Sequence, residues 1–143
     1  MRVQTAEGKA WVSRRPDGIQ RLHWVEGSVI SGQDAADVLA ASFRLAGDKP
    51  YAILVDMTTI VHQTQEARDA FNADTQVIAA ALLGASPMDE ILAGGAHAAM
   101  HPTSYFTSED EALTWIALHI GQVEQFHDAA SAPTAQQRAA SSE

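Results

Sequence analysis

The sequence predicts a single α/β domain, an N-terminal β-hairpin leading into a mixed sheet of about five strands with about four helices. Three observations carry this reading. Two strand-like runs flank Pro16-Asp17-Gly18, an unbroken apolar run from Tyr51 to Asp56 lies between helical patterns, and hydroxyl-capped helix starts recur along the chain. With 143 residues, 46% of them hydrophobic, the chain suits one core and leaves little room for a second.

The elements follow in order. Val3 to Thr5 is a short edge strand. Ala10 to Arg14 and Ile19 to Val25 pair across the Pro-Asp-Gly turn. Ser31 caps a helix from about Gln33 to Ala46, with Ala35, Val38, Leu39 and Phe43 on one stripe and Gly47 ending it. Tyr51 to Asp56 reads as a strand buried on both faces. Thr64 caps a second helix, with Glu66 in its first turn and Ala67 and Phe71 inward. Val77 to Leu83 is ambiguous: its alanines favour helix, while its length and the Gly84 and Pro87 beyond it favour an interior strand, and strand is preferred. Ser86-Pro87-Met88-Asp89 starts a helix that Gly94-Gly95 ends. Ser104 to Phe106 is a short strand, and Ser108-Glu109-Asp110-Glu111 opens a last helix reaching about Ile120. The domain spans residues 1–126. The Ala/Ser/Gln-rich remainder, 127–143, is too poor in apolar bulk to offset its ordering entropy and reads as a disordered tail.

Composition removes several function classes. With no cysteine, disulfides, thiolate nucleophiles and Cys-ligated metals are excluded. The net charge of −9 is uneven: residues 1–50 hold seven basic and six acidic residues, the rest two against twelve. That field repels phosphate backbones and argues against nucleic-acid binding. Lys9, Arg14, Arg15 and Arg21 form a local basic group whose simpler reading is the solvated end of a hairpin. No signal-peptide pattern opens the chain, and no apolar run approaches the ~20 residues of a membrane span, so a soluble cytoplasmic protein is expected.

A hairpin followed by helix–strand alternation resembles the STAS fold of SpoIIAA-like anti-sigma-factor antagonists. It is similar in particular to an uncharacterised bacterial branch of that family. The resemblance rests on Trp24-Val25-Glu26-Gly27, Ile53-Leu54-Val55-Asp56, Glu66-Ala67-Arg68-x-x-Phe71, Ser86-Pro87 and Phe106-Thr107-Ser108-Glu109-x-Glu111-Ala112-Leu113-x-Trp115. It covers roughly residues 5 to 120. It implies a regulatory domain in which a serine of an Asp-Ser-Ser/Thr-Gly-like segment is phosphorylated. The corresponding stretch here, Thr59 to Glu66, lacks the Asp-Ser pair and the glycine, and Glu66 already supplies negative charge. Thr64 is the nearest central hydroxyl and so the candidate phosphoacceptor that the resemblance implies; these departures argue against a kinase-driven switch.

The candidate site is geometric. Ligands of open α/β sheets lie beyond the carboxyl ends of strands. That rule gathers Asp56, Thr58, Thr59, His62, Thr64, Glu66 and Arg68 at one rim, with Ser86 beside them. His62 with Asp56 or Glu66 would form an acid/base pair if within hydrogen-bond reach. The simpler account has Asp56 ending a strand, Thr64 and Glu66 capping a helix, and Arg68 paired to an acid. His97-x-x-x-His101 has metal-ligand spacing but lacks the adjacent glutamate of a zinc-protease motif, and the nearby glycines and Pro102 interrupt a helix. Structural histidines are preferred there, as for His23 and His119. Trp11, Trp24 and Trp115 read as core and hairpin surface. No nucleophile elbow, phosphate loop or dinucleotide fingerprint is present.

Three functions therefore remain, with no metal or cofactor called for. The first is a non-catalytic protein-interaction or regulatory domain, self-associating as a homodimer through a sheet edge or helix face or binding another protein. The second is a small-molecule or lipid-binding domain with an apolar pocket lined by Trp115, Phe71 or Met100. The third is a hydrolase-type enzyme using the rim carboxylates and His62.

Overall fold

The computed structural model describes residues 2–86 and 99–131, the last nine as backbone only. Eight strands form two sheets. The large sheet contains β1 (Arg2–Thr5), β2 (Ala10–Arg14), β3 (Gln20–Trp24), β5 (Tyr51–Asp56), β7 (Val77–Leu83) and β8 (Thr103–Phe106), in the order β1-β2-β3-β5-β7-β8. β1, β2 and β3 are antiparallel, whereas β3, β5, β7 and β8 are parallel. A separate parallel pair joins β4 (Ser28–Ile30) to β6 (Ile60–Gln63). Three α-helices, α1 (Gly32–Leu45), α2 (Gln65–Ala73) and α3 (Glu109–Ser131), and a single 3-10 turn at Ala6–Gly8 complete the described residues.

The hairpin forms where turn chemistry placed it. Gly18 sits at φ +90° and the Arg15 N–H donates to the Ile19 carbonyl at 2.9 Å, so the turn closes on a residue that tolerates left-handed backbone. Asp17 Oδ1 accepts from the Ile19 N–H, and its carboxylate also meets Arg15.

Val77–Leu83 is a strand between β5 and β8, as its flanking turn residues indicated. Alternation along the central strands feeds two cores. Tyr51, Ile53 and Val55, with Val77, Ala80 and Leu82, face α1 and α2 alongside Val12, Leu22 and Trp24. Ala52, Leu54, Ala81 and Leu83 face α3, meeting Ala112, Leu113 and Ile116. A side-chain period of two thus lets each strand serve both layers. Helix α3 packs on β5, β7 and β8.

Ser31 caps α1 reciprocally. Its Oγ accepts from the Asp34 N–H at 3.1 Å, and Asp34 Oδ2 accepts from the Ser31 N–H at 3.0 Å. Thr64 caps α2 by accepting from the Ala67 N–H, and Ser108 accepts from the Glu111 N–H at the start of α3.

Three expectations change. Strands β4 and β6 were absent from the reading because their runs are only three and four residues long. Helix α3 continues to Ser131 instead of ending near Ile120: residues 122–131 contain no glycine or proline, half of them are Gln, Glu or Ala, and the next proline is Pro133, so nothing breaks the helix sooner. The expected tail therefore overlaps helix as far as Ser131, and 132–143 lie outside the described residues, as does the helix expected after Ser86-Pro87.

Candidate functional site

At the carboxyl end of β5, Asp56 organises a compact polar cluster. Its Oδ1 accepts from Thr58 twice, from Oγ1 at 2.6 Å and from the backbone N–H at 3.0 Å. Its Oδ2 lies 3.4 Å from His23 Nδ1, on the neighbouring parallel strand β3. Burial pushes the Asp56 carboxyl up, but the Thr58 hydroxyl and N–H and the His23 ring together outweigh it and hold the group below the usual carboxylate range. Thr59 turns the other way. Its Oγ1 donates to the Trp24 carbonyl at 2.8 Å and its own carbonyl accepts from Gly27, stitching the loop to the end of β3.

The remaining rim residues do not join that cluster. His62 is exposed on β6 and its side chain makes no ion pair or hydrogen bond among the described residues, so the expected pairing with Asp56 or Glu66 is absent and His23 takes the place beside Asp56. The reason is register: β6 pairs with β4 in its own small sheet, which removes His62 from the end of β5. Thr64 is committed to the α2 cap. Glu66 is exposed and stands against α1, where a Cβ on Gly32 would approach Glu66 Cβ to 2.9 Å. Arg68 has no acidic partner among the described residues, where its Nε is shielded from solvent with no hydrogen-bond partner. The Ser86 carbonyl accepts from the Tyr105 hydroxyl at 3.3 Å, which places that residue beside β8.

Arg68 instead faces a partly open cavity of about 90 Å³ between the sheet and helices α1 and α2. Its walls are largely apolar: Leu22, Trp24, Ile53, Val55 and Leu82 from the sheet, Val38 and Leu39 from α1, Phe71 from α2. Among the described residues its polar lining comprises Ser42, Tyr51, Gln63, Arg68, Asn72, His101 and Thr103. Ser42 and Tyr51 are buried, at 0% and 4% exposure, and neither hydroxyl closes a hydrogen bond. Burial pushes the Tyr51 phenol well up, with Asp74 adding to the effect; Ser42 Oγ lies near enough to oppose it without hydrogen-bonding geometry. Gln20, fully buried in β3, donates to the Ser42 carbonyl at 2.8 Å, while its own Oε1 is unpaired.

Of the pocket residues expected from sequence, only Phe71 lines this cavity. Met100 is 72% exposed, and Trp115 lies on the α3 side against Phe106 and His119. His101 is held by Thr103 and by the Phe71 carbonyl at 3.1 Å; His97 lies outside the described residues. The basic group of the hairpin is mostly neutralised: Lys9 meets Asp34 at 2.7 Å, Arg15 meets Asp17, and Arg21 meets Glu109 at 2.8 Å. No helix among the described residues is long and apolar enough to cross a membrane.

His23 and the buried hydroxyls escaped the sequence reading. Asp56 and His23 meet only because β3 and β5 are parallel neighbours, a pairing that nothing local in either segment encodes.

A crystal structure of an uncharacterised protein from the DUF3478 family, from Shewanella loihica PV-4, is similar to this chain. The superposition has a TM-score of 0.55 at 14% identity and covers 75% of this chain and 91% of that one. That protein has a SpoIIAA-like fold, so the layout here is SpoIIAA-like too. No curated protein matches the chain. The model of a domain of unknown function, DUF7793, matches residues 11–120, and with the α/β sheet it spans now described, the chain belongs to that family.

Proposed function

We propose that this domain is a non-catalytic regulatory or protein-interaction module that associates through the open half of its sheet. One observation carries the reading. Helix α3 packs on β5, β7 and β8, whereas the same side of β1 to β3 presents a polar and aromatic ladder. Arg2 stacks its guanidinium 5.0 Å from the Trp11 ring, and the Trp11 and His23 rings stand 6.4 Å apart. A half-covered tryptophan stacked by an arginine is the composition of an interface anchor. The SpoIIAA-like fold agrees with a regulatory role, and the rim polar groups Asp56, Thr58, Thr59 and Thr64 are engaged in local caps and loop ties instead of converging on one point.

The occupant we infer is a second copy of the chain. Arg2 is the cation over Trp11, whereas residues 51–143 carry twelve acidic residues against two basic ones, so a partner copy supplies charge of the opposite sign. Sedimentation equilibrium over a wide concentration range tests this. A dimer that Trp11→Ala weakens at least about tenfold supports the reading. A monomer at every concentration, indifferent to Trp11→Ala, overturns it.

A further inference from the structure

We propose that the cavity between the sheet and helices α1 and α2 binds a small monocarboxylate with an apolar body, its carboxylate held by Arg68. This stands independently of the association proposed above, since it uses the opposite face of the sheet.

The walls select an apolar body, because hydrocarbon loses little by leaving water for such a lining. They are not dry, however. Ser42 and Tyr51 are each more than nine-tenths buried, line the cavity and leave their hydroxyls unpaired. Buried polar atoms are nearly always satisfied, and two together with a shielded guanidinium nitrogen mark a place built for a polar occupant. Arg68 fixes the sign of its charge. No carboxylate lines the cavity among the described residues, and the acids nearest in sequence on α2 are otherwise placed: Glu66 is exposed against Gly32, and Asp69 accepts from Gln65 at 2.8 Å. A guanidinium with a shielded, unpartnered N–H is best completed by an acceptor bearing negative charge.

Size sets the body. A cavity of about 90 Å³ corresponds to about three molecules of water at liquid density, or to a body of a few carbon atoms. Longer chains extend through the open side of the cavity toward solvent and gain less for each added methylene.

The test uses the full chain, with isothermal titration against acetate, butyrate, hexanoate, octanoate and benzoate, each beside its primary amide at constant ionic strength. Affinity is expected to rise with the first carbons and then level off, with each amide binding about tenfold or more weakly than its acid. Arg68→Gln is expected to bring the acids down to the level of the amides while leaving the amides unchanged. Amides binding as well as acids would overturn the proposal without any variant, so a folding defect in Arg68→Gln cannot shelter it. Acids unaffected by Arg68→Gln, or no saturable binding by any probe because water alone fills the cavity, would overturn it equally.

Discussion

Gly32 opens helix α1 directly against Glu66 of α2, and the two residues set how closely those helices approach. Replacing a helical glycine by alanine ordinarily gains up to about 1 kcal/mol. Here the new Cβ would stand 2.9 Å from Glu66 Cβ, so overpacking dominates and Gly32→Ala is expected to lose about 1–3 kcal/mol in urea unfolding. Ionisation acts at the same scale. Burial pushes Asp34 up, but Lys9 and the Ser31 cap outweigh it and leave the group below its ordinary value; Asp56 is likewise lowered. A carboxyl depressed by folding contributes stability that is complete above its unfolded pKa of about 3.9 and disappears as pH falls through the lower folded value. Stability is therefore expected to drop below about pH 4, and Asp34→Asn should flatten that acid limb in pH-dependent unfolding. The Tyr51 phenol is raised, so its contribution is complete below about pH 10 and fades above it. Tyr51→Phe should remove that alkaline loss. Much of this was readable from single residues: Ser31 and Thr64 announce their caps. The orphaned hydroxyls were not, because Tyr51 and Ser42 meet only once α1 lies across the start of β5.

Among the elements, β7 and α3 define each other. Ala81 and Ala112 are fully buried where the helix crosses the strand, and small side chains allow the close approach. Ala81→Leu adds three carbons to that seam and is expected to cost about 1–3 kcal/mol, with unfolding midpoint as the readout. The same alanines made β7 hard to read, since alanine favours helix in isolation; the length of the run and the turn residues beyond it decided for strand, and tertiary packing agrees. Boundaries were less legible. The end of α3 depended on propensity alone, and β4 and β6 are too short to show a period of two. Missing β6 had a consequence for the site, because it put His62 at the end of β5 when pairing with β4 carries it elsewhere.

At the scale of the whole molecule, the sheet changes character at the seam between β3 and β5. On one side every neighbour is adjacent in sequence; on the other each pairing spans an intervening helix or longer segment. Loop closure must be overcome before distant pairings contribute, so the two halves assemble on different timescales. As the chain leaves the ribosome, β1 to β3 are complete within the first twenty-four residues, yet the open edge of β3 has no neighbour until Tyr51–Asp56 emerges. Pulse-labelled hydrogen exchange during refolding should show Trp11 and Arg21 amides, which pair between β2 and β3, protected before those of Ala80 and Ala81. During that interval Trp24, destined for the interior, stands at an unpaired border, which makes the nascent hairpin the segment most exposed to mispairing with another newborn chain.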